Sequence, residues 1–316
     1  MPDSAPRVSI AVPVYNGERF LRRALDSLIG QDFRDLEIIV CDNASTDGTA
    51  AICREYERRD PRVRYSRSPI NVGASGNFNR AVELARGEYF KWLAHDDECE
   101  PTFVTRCLAE HQAAPHLVLV YPRTMFIDDA SQPIEPDREA IDVRGARPHQ
   151  RLARLVDKLN LCNPHLGLIR TSALRQTRRI GGFIAADYVL LAELAMLGEF
   201  REIPEYLLKR RIHRGSHRQA NRTRAELANW FSPGKHRLGF LSERSILFLE
   251  HLRTIQRAPY LRASDRLLCA AAFVAAWTRR RLRVRLGAVR NWLVDGCERH
   301  GHRRLARLLA RRARQS

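Results

Sequence analysis

Residues 36 to 48 read Leu36-Glu37-Ile38-Ile39-Val40-Cys41-Asp42-Asn43-Ala44-Ser45-Thr46-Asp47-Gly48, a β-rich run that passes directly into a polar loop. Ile and Val dominate the run, which favours a buried strand. The loop is rich in Asp, Asn, Ser and Thr, the residue types that cap the beginning of a helix. The sequence therefore predicts a strand, a turn and then a helix from about Thr49 to Arg59.

Strand and helix signals alternate in the same way through the first 130 residues or so. The other β-rich runs are residues 8–12, 63–65, 89–94 and 117–121. This alternation implies right-handed crossovers and an α/β fold in which helices cover a mostly parallel, Rossmann-like sheet. Ligands of such sheets bind beyond the carboxyl ends of the strands. The polar loops at these ends are residues 14–16, 42–47 and 95–97.

Two adjacent carboxylates follow the strand signal at residues 89–94, in the stretch His95-Asp96-Asp97. Two ionised acids side by side repel each other, so a cation that neutralises them would favour this arrangement. Mg²⁺ and Mn²⁺ prefer oxygen ligands of this type and often share them with substrate phosphates. The alternative is that the pair caps the helix that begins near Pro101.

The positive charge of the chain is concentrated in its C-terminal third. The 316 residues carry a formal net charge of +18. Residues 201–316 hold 28 Lys and Arg against 8 Asp and Glu, whereas residues 1–200 hold 26 against 28. This asymmetry predicts two functional parts, of which the basic one faces an anionic surface. We expect an α/β domain at residues 1–220 and an Arg-rich helical region at residues 221–316.

Several common motifs are absent from the sequence. No GxGxxG follows the first strand signal and no GxxxxGK[ST] occurs, which argues against a dinucleotide-dependent enzyme and a P-loop NTPase. The seven cysteines form no CxxC pair, as expected for reduced thiols of a cytosolic protein. The longest apolar run, residues 267–277, has 11 residues, whereas a spanning helix needs about 20. Because the N-terminus also lacks an apolar signal segment, we expect a soluble, cytoplasmic protein.

Three sequence motifs follow one another in the first 100 residues. The first, Val8-Ser9-Ile10-Ala11-Val12-Pro13-Val14-Tyr15-Asn16-Gly17, is similar to the opening strand and nucleotide loop of glycosyltransferase family 2. Residues 37–49 are similar to its second motif, and Asn71-Val72-Gly73 together with residues 87–97 resembles its third. The resemblance covers residues 7–215. It implies the GT-A fold of the nucleotide-diphospho-sugar transferase superfamily, followed here by a basic helical appendage.

The resemblance assigns contacts with the donor nucleotide to one set of residues. These are Pro13, Tyr15, Asn16, Asp42, Asn71, Asn79 and Asp96. The first three would line the base and ribose. Asp42 would accept a hydrogen bond from the base, which suits the imide N–H of uracil. From the residues alone, Asp42 could instead form only an Asx-turn.

The resemblance also assigns a metal site and a catalytic base. Asp96 and Asp97 would bridge a divalent cation, Mn²⁺ or Mg²⁺, to the sugar-nucleotide diphosphate, and His213 would reach the metal or the diphosphate. Asp187 would be the general base, because it follows a Gly-rich loop at a helix start. Alternatively, Asp187 only caps the N-terminus of the helix. Further candidate contacts to the acceptor or the diphosphate are His95, His165 and Arg211, and His165 could equally be a polar surface or core residue.

The sequence departs from the family pattern at three positions. The acidic metal motif is often Asp-x-Asp-Asp, and here Ala94 replaces the first Asp. Phe78 stands where an Arg often precedes the Asn of the third motif, and Ala186 stands where an acid often precedes the catalytic carboxylate. We expect a metal site with fewer protein ligands, which His95 or His213 would complete.

These features predict a metal-dependent, inverting glycosyltransferase that uses a nucleotide-diphosphate sugar, with a UDP-sugar favoured. The acceptor hydroxyl could belong to a glycan, a lipid-linked glycan or a small molecule. One alternative is a nucleotidyltransferase, although residues 14–18 lack the Gly-rich basic loop expected for it. The other is a non-catalytic protein of similar fold whose basic helices bind a membrane or a polyanion.

The basic region mixes arginines with apolar residues at near-helical spacing, most clearly at residues 277–286. Amphipathic helices of this kind bind peripherally to anionic membranes, here at the inner face. Alternatively, the region packs on the α/β domain or mediates a homo-oligomer. Nucleic-acid binding is disfavoured because aromatic residues are sparse there and no recognised motif is present.

Overall fold

The fold was established from a computed structural model that describes residues 5–139, 141, 143–213, 215, 223–234 and 241–299. The domain boundary predicted between residues 220 and 221 lies outside the described residues, as do residues 300–316 of the basic region. The strands are β1 (Val8–Val14), β2 (Leu36–Asp42), β3 (Val63–Arg67), β4 (Tyr89–Trp92), β5 (Glu98–Cys99), β6 (Leu117–Ile127), β7 (Pro133–Pro136), β8 (Leu168–Arg170) and β9 (Glu199–Arg211). The helices are α1 (Leu21–Ile29), α2 (Thr49–Arg59), α3 (Gly73–Leu84), α4 (Phe103–Ala113), α5 (Pro148–Lys158), α6 (Thr171–Arg175), α7 (Ala186–Leu197), α8 (Arg224–Phe231), α9 (Glu243–Arg257) and α10 (Ala263–Arg299), with a 3-10 turn at Asn163–Leu166.

The strands form one mixed sheet in the order β3-β2-β1-β4-β8-β6-β9-β5, and β7 pairs with the end of β6. β1, β2, β3 and β4 run parallel to one another, and β6 pairs in parallel with β9. β8 lies antiparallel between β4 and β6. All seven residues of β1 are buried, because helices cover both faces of the sheet. The predicted α/β class and mostly parallel sheet are confirmed.

The segment after residue 117 differs from its prediction. The strand expected at residues 117–121 continues to Ile127, because β6 pairs with β9 along its length and register shifts around Pro122 absorb the missing N–H of that proline. Residues 128–148 follow β6 and include Pro133, Pro136 and Pro148. They contain β7, and Val143 bridges to Phe200 at the start of β9. This segment is therefore partly built into the sheet.

The basic helical region packs on the α/β domain. Cys269, Phe273 and Ala276 recur at helical spacing on α10, and all three are fully buried. α10 lies along α5, and α9 contacts α7. This is one of the alternatives predicted for the region. No helix in the described part of the chain has both the length and the hydropathy that crossing a bilayer requires.

A buried carboxylate supports the junction between the α/β domain and α9. Glu193 of α7 is 2% exposed, and its carboxylate accepts hydrogen bonds from the backbone N–H of Arg178 at 3.1 and 3.2 Å. The Arg178 guanidinium donates to Glu250 and Thr254 of α9. Burial raises the pKa of Glu193 from 4.5 to about 7. The folded chain therefore keeps a proton on Glu193 that the unfolded chain releases between these two pH values.

Replacing Glu193 by Gln is expected to change how stability depends on pH. In the native chain, release of this proton by the unfolded state lowers the free energy of unfolding by about 3 kcal/mol as the pH rises from the unfolded to the folded pKa. Gln keeps a carbonyl acceptor for the Arg178 N–H and does not ionise. Urea unfolding at about pH 5 and about pH 8 should show the variant gaining stability over the native chain at the higher pH. The exposed Glu135→Gln serves as control. If the variant and the native chain differ equally in free energy of unfolding at both pH values, the raised pKa of Glu193 is contradicted.

Candidate active site

The carboxyl ends of β1, β2 and β4 bring three predicted loops together. The Asn43 N–H donates to the Val14 carbonyl at 2.9 Å, which joins the first loop to the second. The first loop also touches the third, because a Cβ at Gly17 would lie 2.6 Å from Cδ2 of His95. Only glycine allows the backbone to pass this close to the His95 ring. The sheet therefore brings the polar residues of all three loops together at one edge, and we call the space beside this edge the cleft.

Asp42 lies at the end of β2 and is fully buried. One carboxylate oxygen accepts from the Ser45 N–H at 2.8 Å, as an Asx-turn would. The other accepts from the Tyr65 hydroxyl at 2.6 Å and lies 3.4 Å from the Arg67 guanidinium. Burial and then the hydrogen bond to Asp42 raise the pKa of Tyr65 to about 12, so the hydroxyl stays a donor. Asp42 is thus held in place by a neutral and a cationic donor.

The first loop presents Tyr15 and Asn16 at the rim of the cleft. Tyr15 is 39% exposed, which leaves its ring open to a stacking partner. Asn16 has a φ of 52°, a left-handed conformation that Asn tolerates well. Its side-chain oxygen accepts from the Thr46 N–H at 2.8 Å. Pro13 is buried beneath them.

Asn71 supports the loop at the start of α3. Its side-chain oxygen accepts from Nδ2 of Asn43 at 2.8 Å and from the Gly73 N–H at 2.9 Å. Gly73 has a φ of 78°, and a Cβ there would lie 2.4 Å from Pro233, so the segment after α8 covers this loop closely. Asn71 therefore connects the second loop to α3.

Asp97 is a buried carboxylate in the third loop, 4% exposed. It accepts a hydrogen bond from the Arg211 N–H at 2.9 Å and lies 3.9 Å from Nε of Arg210. Burial and then the charge of Asp96 raise its pKa to about 7. Its carboxyl group therefore ionises less readily than that of a solvent-exposed aspartate.

Asp96 is paired with His213. Nε2 of His213 lies 2.9 Å from Oδ2 of Asp96, and Nδ1 accepts from the Gly215 N–H at 3.2 Å. We therefore assign the proton to Nε2, which donates to Asp96. Burial opposes ionisation of Asp96, but the charge of His95 and then the hydrogen bond from His213 lower its pKa to about 2. Asp96 is the carboxylate that stays ionised.

The acidic pair has donors suited to a divalent cation. Carboxylate oxygens are the ligands that Mg²⁺ and Mn²⁺ prefer, and the raised pKa of Asp97 marks a position that a cation would stabilise. Among the described residues, no group of three or more His, Cys, Asp or Glu side chains could hold a metal by itself. The two aspartates therefore fit a cation whose remaining ligands are phosphate oxygens and water. His213 would have to give up either its bond to Asp96 or its bond from the Gly215 N–H to join them.

Asp187 is the second residue of α7. The helix begins after Ala185, which has a φ of 64° and makes no side-chain cap, so Asp187 is not the N-cap. Its carboxylate is partly exposed and accepts from the Tyr188 N–H at 3.1 Å. It lies close enough to Cys162 that, after burial, its charge raises the pKa of that thiol. Asp187 thus faces the turn that carries Cys162 and His165.

His165 lies on the 3-10 turn next to Asp187. Its Nδ1 is directed at the Cys162 carbonyl, so Nδ1 carries the proton and Nε2 is an acceptor. Burial lowers the pKa of His165, and the charge of Asp187 acts in the opposite direction. A neutral imidazole and a carboxylate therefore share this side of the cleft.

The comparisons with known proteins identify the family. Residues 9–177, more than half of the chain, match the family described as Glycosyl transferase family 2. The chain belongs to glycosyltransferase family 2. It is 31% identical to chondroitin synthase of Escherichia coli over 210 residues, which is 66% of this chain and 29% of that protein. The family 2 chain therefore spans under a third of the length of the curated relatives that it matches first.

Solved structures similar to this family 2 chain have the GT-A fold. The crystal structure of S. aureus TarS 1-349 in complex with UDP-GlcNAc covers 85% of this chain and 72% of its own, with a TM-score of 0.62 and 17% identity. The mannosyltransferase PcManGT from Pyrobaculum calidifontis, in complex with GDP-Man and Mn²⁺, covers 98% and 85%, with a TM-score of 0.55 and 18% identity. The predicted family and the predicted GT-A fold are both confirmed.

Two residues assigned to ligands have other contacts in this family 2 chain. The Arg211 guanidinium is fully buried and donates to the Asp96 carbonyl at 2.9 Å, to Ser131 Oγ at 2.9 Å, and to oxygens of Glu98 and Asp128. Its three nitrogens are thus engaged by the protein, and it supports the acidic loop instead of contacting a diphosphate or an acceptor.

The side-chain amide of Asn79 is likewise engaged by the protein. It donates to the Ile180 carbonyl at 2.8 Å and accepts from the Ile180 N–H at 3.0 Å. The amide therefore ties α3 to the loop that precedes Asp187. Buried backbone groups such as those of Ile180 are usually paired in this way.

Several residues at the site of this family 2 chain were not predicted. Tyr65 and Arg67 contact Asp42. The parallel pairing of β3 with β2 places Arg67 opposite Asp42, and this pairing is the feature that could have indicated the contact. Arg210 extends between Asp97 and the side chain of Asn163. Lys91 is fully buried. Its Nζ donates to the Leu166 carbonyl at 2.7 Å and lies 4.1 Å from the Phe103 ring centre.

Proposed function

We propose that the protein transfers a sugar from a nucleotide-diphosphate sugar, with UDP as the favoured nucleotide, to an acceptor hydroxyl with inversion. The observation that carries the proposal is the adjacent pair of a half-buried Asp96 and a buried Asp97, which follows β4 at the same edge of the sheet as Asp42. The family 2 domain and its fold indicate the class of reaction, and these residues indicate which groups would catalyse it.

The surroundings of Asp42 support uridine as the proposed nucleoside. The carboxylate would accept a hydrogen bond from the imide N–H of uracil, while Arg67 offers N–H donors for a neighbouring carbonyl of the base. Tyr15 supplies an exposed ring at the same rim. The similar TarS structure contains UDP-GlcNAc, whereas PcManGT contains GDP-Man, so the choice of base is part of the proposal.

The acidic pair would hold the donor diphosphate. A divalent cation bound there would stabilise the negative charge that develops on the leaving diphosphate. Arg211 and His213 would keep the two carboxylates aimed at the cleft, since one fixes the loop backbone and the other donates to Asp96. Arg210 adds a partly exposed positive charge beside Asp97.

Asp187 would accept the proton of the acceptor hydroxyl. A hydroxyl is a weak nucleophile, so a carboxylate on the face opposite the leaving group accelerates its attack. Attack from that face inverts the anomeric centre. The acceptor is a glycan, a lipid-linked glycan or a small molecule, and the likeness to a chondroitin synthase favours a glycan. We place the reaction in the cytoplasm, where nucleotide sugars are made.

Nucleotide binding with and without metal tests the proposal. The full chain is titrated calorimetrically with UDP, GDP and ADP in the presence of Mn²⁺ or of a chelator. We expect UDP to bind most tightly and to lose at least about tenfold in affinity without Mn²⁺, because the cation bridges it to the acidic pair. Tighter binding of GDP would overturn the choice of base. Equal binding with and without Mn²⁺ would overturn the metal-diphosphate assignment.

A further inference from the structure

An open groove with a volume of about 540 Å³ runs between α9 and α10. Its lining combines aliphatic and aromatic side chains with three arginines and contains no acidic residue. The lining residues are Arg244, Ser245, Phe248, Leu249, Val274, Trp277, Thr278, Arg281, Leu282 and Arg285. The groove lies on the outer side of the helical region and is separate from the cleft described above.

The arginines of α10 divide between two faces of the helix. Arg279 and Arg283 form ion pairs with Asp157 of α5, and so face the α/β domain. Arg281 and Arg285 line the groove. Within the described part of the chain, neither forms an ion pair with a carboxylate. The inward arginines therefore attach the helix, whereas the outward ones leave two charges uncompensated.

Apolar side chains are exposed on the same helix. Val274 and Leu282 line the groove and are 42% and 54% exposed, and Leu267 and Leu286, farther along the helix, are 74% and 67% exposed. Single exposed leucines are normal, but a run of them beside arginines along one helix marks an interaction surface. Because Cys269, Phe273 and Ala276 already attach α10 to the domain, this outer face is not needed for folding.

We propose that this groove and the exposed face of α10 bind the surface of an anionic phospholipid bilayer. Lipid phosphates would pair with Arg281, Arg285 and Arg244, and acyl chains would cover the leucines, so one partner satisfies both kinds of side chain. An acidic protein or a nucleic acid would complement the arginines and leave the aliphatic side chains uncovered. The proposal is independent of the donor and the acceptor.

Sedimentation with vesicles tests this proposal. The full chain is mixed with vesicles of phosphatidylcholine, or of phosphatidylcholine and phosphatidylglycerol. We expect binding to the second kind alone, and a loss of roughly 30-fold in R281Q/R285Q, since each basic residue near the surface contributes on the order of fivefold. The control is R54Q/R58Q, which removes two exposed arginines of α2 and should leave binding within about twofold.

The outcomes distinguish binding through the groove from a general electrostatic attraction between a basic protein and an anionic bilayer. Equal losses in the two double variants, or no binding to anionic vesicles, would overturn the proposal. Brominated acyl chains give a second measurement, because they should quench the fluorescence of Trp277, which lines the groove. Quenching should decrease in the variant Trp277→Phe. Unchanged quenching in this variant would also overturn the proposal. UDP binding by all variants should stay native, so failure here does not touch the proposed transfer.

Discussion

Replacing Asp97 by Asn is expected to lower kcat/KM for sugar transfer by roughly 10³-fold, because the carboxylate is the buried anchor of the proposed metal-diphosphate contact. The isosteric amide keeps a side-chain oxygen that can accept from the Arg211 N–H, a bond of 2.9 Å in the native protein. The variant should therefore fold normally. Calorimetry should show that Mn²⁺ no longer tightens the binding of UDP.

The thermal stability of Asp97→Asn gives an independent readout. Burial and the charge of Asp96 raise the pKa of Asp97 to about 7, so its ionised form destabilises the ligand-free fold. We expect an unchanged or higher Tm above that pH, together with the loss of transfer. This combination is typical of functional residues that are held at a cost to stability.

A matched control for this variant is Asp129→Asn. Asp129 is 48% exposed and pairs with Arg19 on the surface, so the same chemical change there should leave transfer within about twofold. Mn²⁺-dependent tightening that persists in Asp97→Asn would place the metal elsewhere. A fall in Tm accompanying the loss of activity would instead assign Asp97 a structural role.

The sequence predicted the positions of the first strands and their loops because those signals are local. Apolar runs such as residues 36–41 are long enough to identify a strand, and a parallel sheet carries the following loop to the ligand edge. Asp42 and the acidic pair could be found in this way. By contrast, β8 has three residues and no periodicity, so its antiparallel insertion between β4 and β6 had no sequence signal.

The side-chain contacts of the site could not be predicted, because they join residues far apart in the chain. Asp97 and Arg211 are 114 positions apart, and Asp96 and His213 are 117 apart. The sequence indicated that His213 would approach the acidic loop, but not that Asp96 would be its partner. For Arg211, nothing local distinguishes a guanidinium that reaches a ligand from one that holds a loop. The difference lies in whether buried oxygens surround it.

Asp187→Asn is expected to lose transfer by roughly 10²- to 10⁴-fold while the affinity for UDP stays within about twofold, because a general base acts on the acceptor and not on the donor. Transfer is measured with the donor and acceptor for which the native chain is active, and donor affinity is measured by calorimetry. The amide keeps the size of the side chain and an oxygen to accept from the Tyr188 N–H.

His165 offers a direct comparison with Asp187, since its Nε2 is an unprotonated acceptor on the same side of the cleft. His165→Gln should reduce transfer by less than about tenfold if Asp187 is the base, because the imidazole then only neighbours the reacting hydroxyl. If His165→Gln loses transfer while Asp187→Asn keeps it, the imidazole is the base and Asp187 stabilises its protonated form. Loss in both variants would point to a pair in which the carboxylate orients or charges the imidazole, as in other base–orienter arrangements. In both of the last two outcomes, the assignment of Asp187 as the sole base is wrong. The inversion expected from attack opposite the diphosphate is unaffected by them.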